Sequence, residues 1–175
     1  MKKLASALGG LVVLSGLLGF TAGSPATAKA VDPNCAVVDG YSDGRYSHVG
    51  GTMCITGTGW KHGELDVTCT VKTIGWQNAP KCSVLGRFAV LKDGKPLPKY
   101  AADPFCRPGR PCQPGRLFAG SSSTATISLA NTFTFSCEGT GNYTFRLTNL
   151  SFSMDGKKHR QVSIPGPIEA SKQMC

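Results

Sequence analysis

The chain has 175 residues, with 19 Lys and Arg against 10 Asp and Glu, a formal net charge of +9 and 8 cysteines. That length fits one domain of ordinary size with a real hydrophobic core. No G-x-S-x-G, H-E-x-x-H, phosphate-loop or Cys-x-x-Cys pattern occurs, so the common hydrolase, nucleotide and zinc classes find no support in it.

In chain order, residues 1–30 read as a secretory signal peptide. Lys2 and Lys3 form the positive start, and Leu8 to Phe20 is an apolar run too short to span a membrane comfortably. Ala28-Lys29-Ala30 supplies a small-x-small cleavage site. Cleavage after Ala30 leaves residues 31–175, expected as one secreted, soluble, monomeric domain without a membrane span. All 8 cysteines fall in that part, and an even count in an exported chain reads as a disulfide framework rather than a metal site.

The rest reads as all-β. Cys35 to Asp39 is a short apolar edge, and Gly40 to Gly51, with Tyr41, Tyr46 and His48, is turn-rich. Thr52 to Thr56 and Glu64 to Ile74 form the next strands. Leu65, Val67, Cys69 and Val71 share one phase of the alternation, so Cys69 points inward. Met53 and Ile55 face inward and turn Cys54 outward. Trp60 and Trp76 flank this pair and are expected to be buried near a core disulfide. Glu64 and Asp66 share a face that reads as solvated. Val84 to Lys92 is a strand closed by the turn Asp93-Gly94. Six prolines between Pro96 and Pro114 then exclude regular structure. Ser121 to Ala130 is a polar strand. Phe152 and Met154 run into a second turn at Asp155-Gly156, and Gln161 to Ile164 is the last strand. Short alternating strands separated by frequent turns predict an immunoglobulin-like β-sandwich stapled by disulfides.

The clearest pattern is Asn131 to Thr148. Phe133, Phe135 and Cys137 share one phase, and Tyr143, Phe145 and Leu147 repeat it after a turn-rich centre. Two connections satisfy this. In a hairpin, Cys137 pairs with Tyr143, Phe135 with Phe145 and Phe133 with Leu147. Alternatively the chain crosses between two sheets at Gly139–Gly141. The segment GTGNYTF then resembles the tyrosine corner of immunoglobulin-like domains, with Tyr143 as its tyrosine. Because Cys69 and Cys137 both fall on core phases, a Cys69–Cys137 inter-sheet disulfide is expected. Cys106 and Cys112, which enclose RPGRP, are expected to close a small ring. Cys35, Cys54, Cys82 and Cys175 remain with their pairing open.

The charge is concentrated. Removing Lys2, Lys3 and Lys29 leaves 16 basic residues against 10 acidic ones. Residues 81–116 hold eight of those cations and only Asp93 and Asp103, so this one segment carries the whole net charge of the mature chain. Within it, the proline-braced loop at about residues 93–116 presents Lys95, Lys99, Arg107, Arg110 and Arg116. Such a concentration steers and holds anions, and arginine offers paired donors to carboxylates and phosphates.

These features favour a secreted, non-catalytic binding protein that holds an anionic ligand on a positive loop or groove. The ligand could be a porphyrin-like molecule, an acidic cell-wall polymer or a host polyanion. Nucleic acid is not expected, since few aromatics interleave with the cations. His48, His62 and His159 have no nucleophile at a telling spacing. A loop-based protease inhibitor is a further reading of CRPGRPC. Arg107 and Arg110 precede prolines, however, which leaves Arg116–Leu117 as its reactive bond. An exported, basic, single-domain β-sandwich with a proline-rich positive loop resembles the secreted antioxidant (radical oxygenase) proteins of actinobacteria. That resemblance implies an oxidoreductase-type antioxidant activity and an anionic cofactor such as haem or another porphyrin. Lys99, Arg107 and Arg110 would then line its groove, and no catalytic residue carries over.

Overall fold

The computed structural model describes residues 32–56, 60–104, 106–109, 112–122, 126–128 and 133–175. The expected signal peptide lies outside the described residues. Twelve strands and one short helix follow in order: β1 (Cys35–Tyr41), β2 (Ser47–Thr56), β3 (Trp60–Lys72), β4 (Trp76–Asn78), β5 (Cys82–Lys92), β6 (Lys95–Pro96), α1 (Pro98–Ala101), β7 (Arg116–Ser122), β8 (Thr126–Ser128), β9 (Phe133–Ser136), β10 (Gly141–Met154), β11 (Gln161–Ile164) and β12 (Ile168–Met174). They form two antiparallel sheets with little helix, held by four disulfides. Among the described residues no helix is long and apolar enough to cross a membrane.

In the first sheet, β1, β2 and β3 form a meander, and the far edge of β3 takes β9, β8 and β4 in succession. In the second sheet, β5 and β10 are central. β6 and β7 pair with the outer edge of β5, and β12 and β11 with the outer edge of β10. The inner faces share one core. Phe133 of β9 shows how they meet. Its ring lies 4.9 Å from Phe145, 4.8 Å from Phe118 and 5.2 Å from Phe88, all on the other sheet.

That placement decides between the two connections open for Asn131 to Thr148. β9 and β10 lie in different sheets, so the hairpin pairing is not formed and the chain crosses at residues 137–140. The Tyr143 hydroxyl donates to the Gly139 carbonyl at 2.8 Å and accepts from the Glu138 amide at 2.8 Å. The two bonds satisfy main-chain groups that the crossover takes out of the sheet ladders.

The disulfides correct one expectation. Cys69 bonds Cys82, and Cys137 bonds Cys175, so no Cys69–Cys137 bridge exists. The reason is register. β9 pairs with the start of β3, Ser136 opposite Trp60. Cys137 therefore leaves the sheet nine residues from Cys69, roughly 30 Å at ~3.3 Å per residue, far beyond disulfide reach. Cys69 does link the two sheets, but through Cys82 at the start of β5, and both are fully buried. Cys35 and Cys54 stand directly opposite one another on β1 and β2 and are bonded. Cys106 bonds Cys112.

Other boundaries shift for physical reasons. The segment expected as turn-rich, Gly40 to Gly51, supplies the end of β1 and half of β2. Gly51 is there because a Cβ would lie 2.1 Å from the Asp66 carbonyl oxygen of β3. The polar strand expected at Ser121 to Ala130 divides into β7 and β8. Trp76 is half exposed on the three-residue edge strand β4, where no core face exists to bury it. Both turns form, all four residues with positive φ: Asp93-Gly94 closes the two-residue hairpin of β5 and β6, as its twist requires, and Asp155-Gly156 turns the chain within the longer β10–β11 connection, the Lys157 amide donating to the Met154 carbonyl at 3.2 Å.

Candidate functional site

The proline-rich segment is anchored at several points, first at the edge of the core beside β5 and then over the outer face of the second sheet. Leu97 and Tyr100 of its first turn are buried, with the Tyr100 ring 6.4 Å from Phe88 and 6.2 Å from Phe135. The Leu97 amide donates to the Val90 carbonyl, and the Gly115 amide closes the segment onto the Ala101 carbonyl at 2.7 Å. Arg87, on the outer face of β5, donates to Asp103 and to the Gly115 carbonyl. Both side chains of the ion pair are largely covered, at 18% and 10% exposure. Cys106–Cys112 braces the exposed part of the segment. Finally, the Asn149 side-chain amide donates to Gln113. Asn149 sits at a bulge in β10, between Thr148 and Ser151, with a φ of 52°. The bulge lifts this residue off the ladder and toward the segment.

A groove of about 480 Å³ lies between this segment and the sheet. Ala89 and Leu91 of β5 form its floor, and Pro96, Pro114 and Pro167 contribute apolar walls. Arg146, on the wet face of β10, also lines it, and its Nε donates to Glu169 at 2.5 Å. The volume is of the size that encloses small organic ligands. Along the same outer face, toward Lys81, a shallower depression carries Ser83, Leu85, Ser121, Ser151 and Ser153.

The expected cations sit on different elements of the segment. Lys95 is exposed on β6, next to the groove-lining Pro96. Lys99 is exposed on α1, with its ammonium 5.5 Å from the Tyr100 ring centre. Arg107 is exposed in the disulfide ring. Arg110 lies outside the described residues. Arg116 is half-buried in β7 opposite Phe88, and its Nε is buried without a hydrogen-bond partner. The segment's other cations are dispersed along β5. Lys81 precedes one end, Arg87 is paired in the middle, and Lys92 at the other end donates to the Glu138 carbonyl at 2.5 Å. The reactive bond of the inhibitor reading, Arg116–Leu117, is held in the β5–β7 ladder rather than on a protruding loop.

Sequence reasoning missed Arg146, Asn149, Ala89 and Leu91. A signal for Arg146 was present: it is the one charge on the wet phase of the most regular strand.

Among the described residues, the groove lining holds no His, Cys, Met or Tyr, the side chains that ordinarily hold haem iron. Iron-ligated haem therefore does not fit these residues. Among the described residues no cluster of three or more His, Cys, Asp or Glu could hold a metal ion. Every cysteine is disulfide-bonded. Comparisons with protein-family models, with curated proteins and with solved structures find no match for this chain.

Proposed function

We propose that the protein is a secreted binding module of immunoglobulin-like β-sandwich architecture that holds an anionic, largely apolar small molecule. The strand connections support the architecture. The chain passes from β4 of the first sheet to β5 of the second, returns to the first sheet at β8 and β9, and crosses again to β10 through a tyrosine corner. The added meander strand β1 and the Cys69–Cys82 bridge, in place of one reaching β10, are departures from the antibody pattern.

The observation that carries the function is the groove itself: an apolar floor, proline walls, a braced roof and Arg146 in its lining. Apolar surface supplies most of the binding energy, and one cation selects the charge and orients the ligand. Lys95, Lys99, Arg107, Arg110 and Arg116 extend the positive field outside the groove. A roof ordered before binding lowers the ordering cost. The ligand class is a flat or compact apolar anion, such as a metal-free porphyrin carboxylate.

The test uses anilinonaphthalene sulfonate and protoporphyrin as probes. Both are expected to bind the mature protein, more weakly as salt rises, since exposed charges are screened over ~10 Å at 0.1 M. Arg146→Gln should weaken binding on the order of tenfold, as loss of a charge-assisted bond does. Ala89→Trp should block the groove outright. Arg107→Ala/Arg110→Ala should cost less than Arg146→Gln. Probe binding that ignores both Arg146→Gln and Ala89→Trp would refute the site.

A further inference from the structure

The end of the molecule far from Asp93-Gly94 carries a second surface. Three loops meet there: residues 42–46 between β1 and β2, residues 73–75 between β3 and β4, and residues 155–160 between β10 and β11. The 42–46 loop touches the end of β3 and the 155–160 loop. The Lys72 amide donates to the Tyr46 carbonyl at 2.8 Å, and the Tyr46 and His159 rings stand 6.4 Å apart. Trp76 lies edge-on to both Tyr41 and His48.

What these loops expose is unusual for a water-facing surface. Ile74, at the tip of its turn beside Gly75 (φ 98°), is 95% exposed; Tyr46 is 54% and Trp76 50% exposed. Scattered apolar residues are ordinary, but a contiguous group marks a contact surface. Around them stand Arg45, Lys72, Lys81, Lys157 and Lys158, all exposed. The local acids are fewer. Asp155 is paired with Arg160 at 2.7 Å, while Asp39, hydrogen-bonded to His48 at 2.7 Å, and Asp43 are the other acids there, against five exposed cations. This end therefore presents a nearly fully exposed aliphatic side chain at a turn tip, two half-exposed aromatic rings and five exposed cations.

We propose that this end docks on an anionic lipid bilayer. Each layer of the surface matches a layer of the membrane. Ile74 reaches the acyl boundary, Trp76 and Tyr46 sit at headgroup level, where amphipathic rings are favoured, and the cations meet anionic headgroups. The contact is peripheral, made by loop tips. The groove under the proline-rich segment opens on a sheet face and is not covered by it.

The test is sedimentation of the mature protein carrying Trp60→Phe with vesicles of phosphatidylglycerol or of phosphatidylcholine. Binding is expected to phosphatidylglycerol alone, with Trp76 emission quenched by bromine-labelled acyl chains. Lys158→Ser should weaken it roughly fivefold, the factor equivalent to ~1 kcal/mol per cation at an anionic surface. Ile74→Ser/Trp76→Ser should weaken it further, with an unchanged circular dichroism spectrum. Lys172→Ser, which removes the same charge from β12, should leave it unaltered. Equal binding to both lipids, equal losses from Lys158→Ser and Lys172→Ser, or full binding by Ile74→Ser/Trp76→Ser would overturn the proposal. So would retention on soluble polyphosphate without vesicle binding, which would assign the surface to a polymer.

Discussion

Tyr143 does two things at one position. Its ring is fully buried in the core, and its hydroxyl ties down the crossover through Gly139 and Glu138. Tyr143→Phe keeps the ring and strands the Glu138 amide, so a loss of about 1–3 kcal/mol is expected, read as a lower urea midpoint with unchanged slope. Gly63 is a second such position. A Cβ there would lie 2.4 Å from the Phe145 ring. That ring cannot retreat, because Phe88 and Phe133 pack around it. Gly63→Ala is therefore expected to cost about 1–3 kcal/mol by overpacking, measurable by the same titration.

At the scale of elements, the two disulfides Cys69–Cys82 and Cys106–Cys112 should behave differently. The first is buried and joins the sheets; the second is exposed and closes a ring within one segment. Cys69→Ala/Cys82→Ala should lose about 2–5 kcal/mol, the usual consequence of removing a native bridge from a small exported domain. Cys106→Ser/Cys112→Ser should lose less, since the shorter ring constrains the unfolded chain less. Its effect should be local: faster hydrogen exchange at the Gly115 and Cys106 amides, with the Val90 and Phe145 amides still protected. Uniformly accelerated exchange would show that the proline-rich segment is part of the cooperative core. The bulge at Asn149 is the matching feature on β10. It moves the inward phase from odd positions, Tyr143 to Leu147, to even ones, Leu150 to Met154. The strand stays in the core on both sides of it.

For the whole molecule, the four bridges staple the sheets at different places: the β1–β2 edge, the inter-sheet crossing before β5, the segment over the groove, and the C-terminal residue. Denatured, unreduced protein should show no titratable thiol, and full reduction should release all 8. Non-reducing peptide maps should return Cys69 with Cys82 and Cys137 with Cys175. A peptide joining Cys69 to Cys137 would contradict the register of β9 on β3. Part of the net charge that is concentrated in one stretch of sequence is spread along β5. A strand of eleven residues spans about 35 Å, so β5 separates Lys81, just before its start, from Lys92 at its end.

Alternation alone determined that this is an all-β chain, that Cys69 and Phe145 face a core, that Cys54 faces away, and that Asp93-Gly94 and Asp155-Gly156 turn. These are local properties, set by the two-residue period of a strand and by the φ that each turn demands. Partnership was not legible in that way. Two strands of the same phase can pair in one sheet or pack across two, since either arrangement buries the same faces. Only the packed structure placed Phe133 against Phe145 rather than beside Leu147, and so gave Cys137 to Cys175. The groove escaped the sequence for a related reason. Its residues come from β5, β10 and the proline-rich segment, and a side chain on the wet phase of a strand reads as solvated until another segment folds over it.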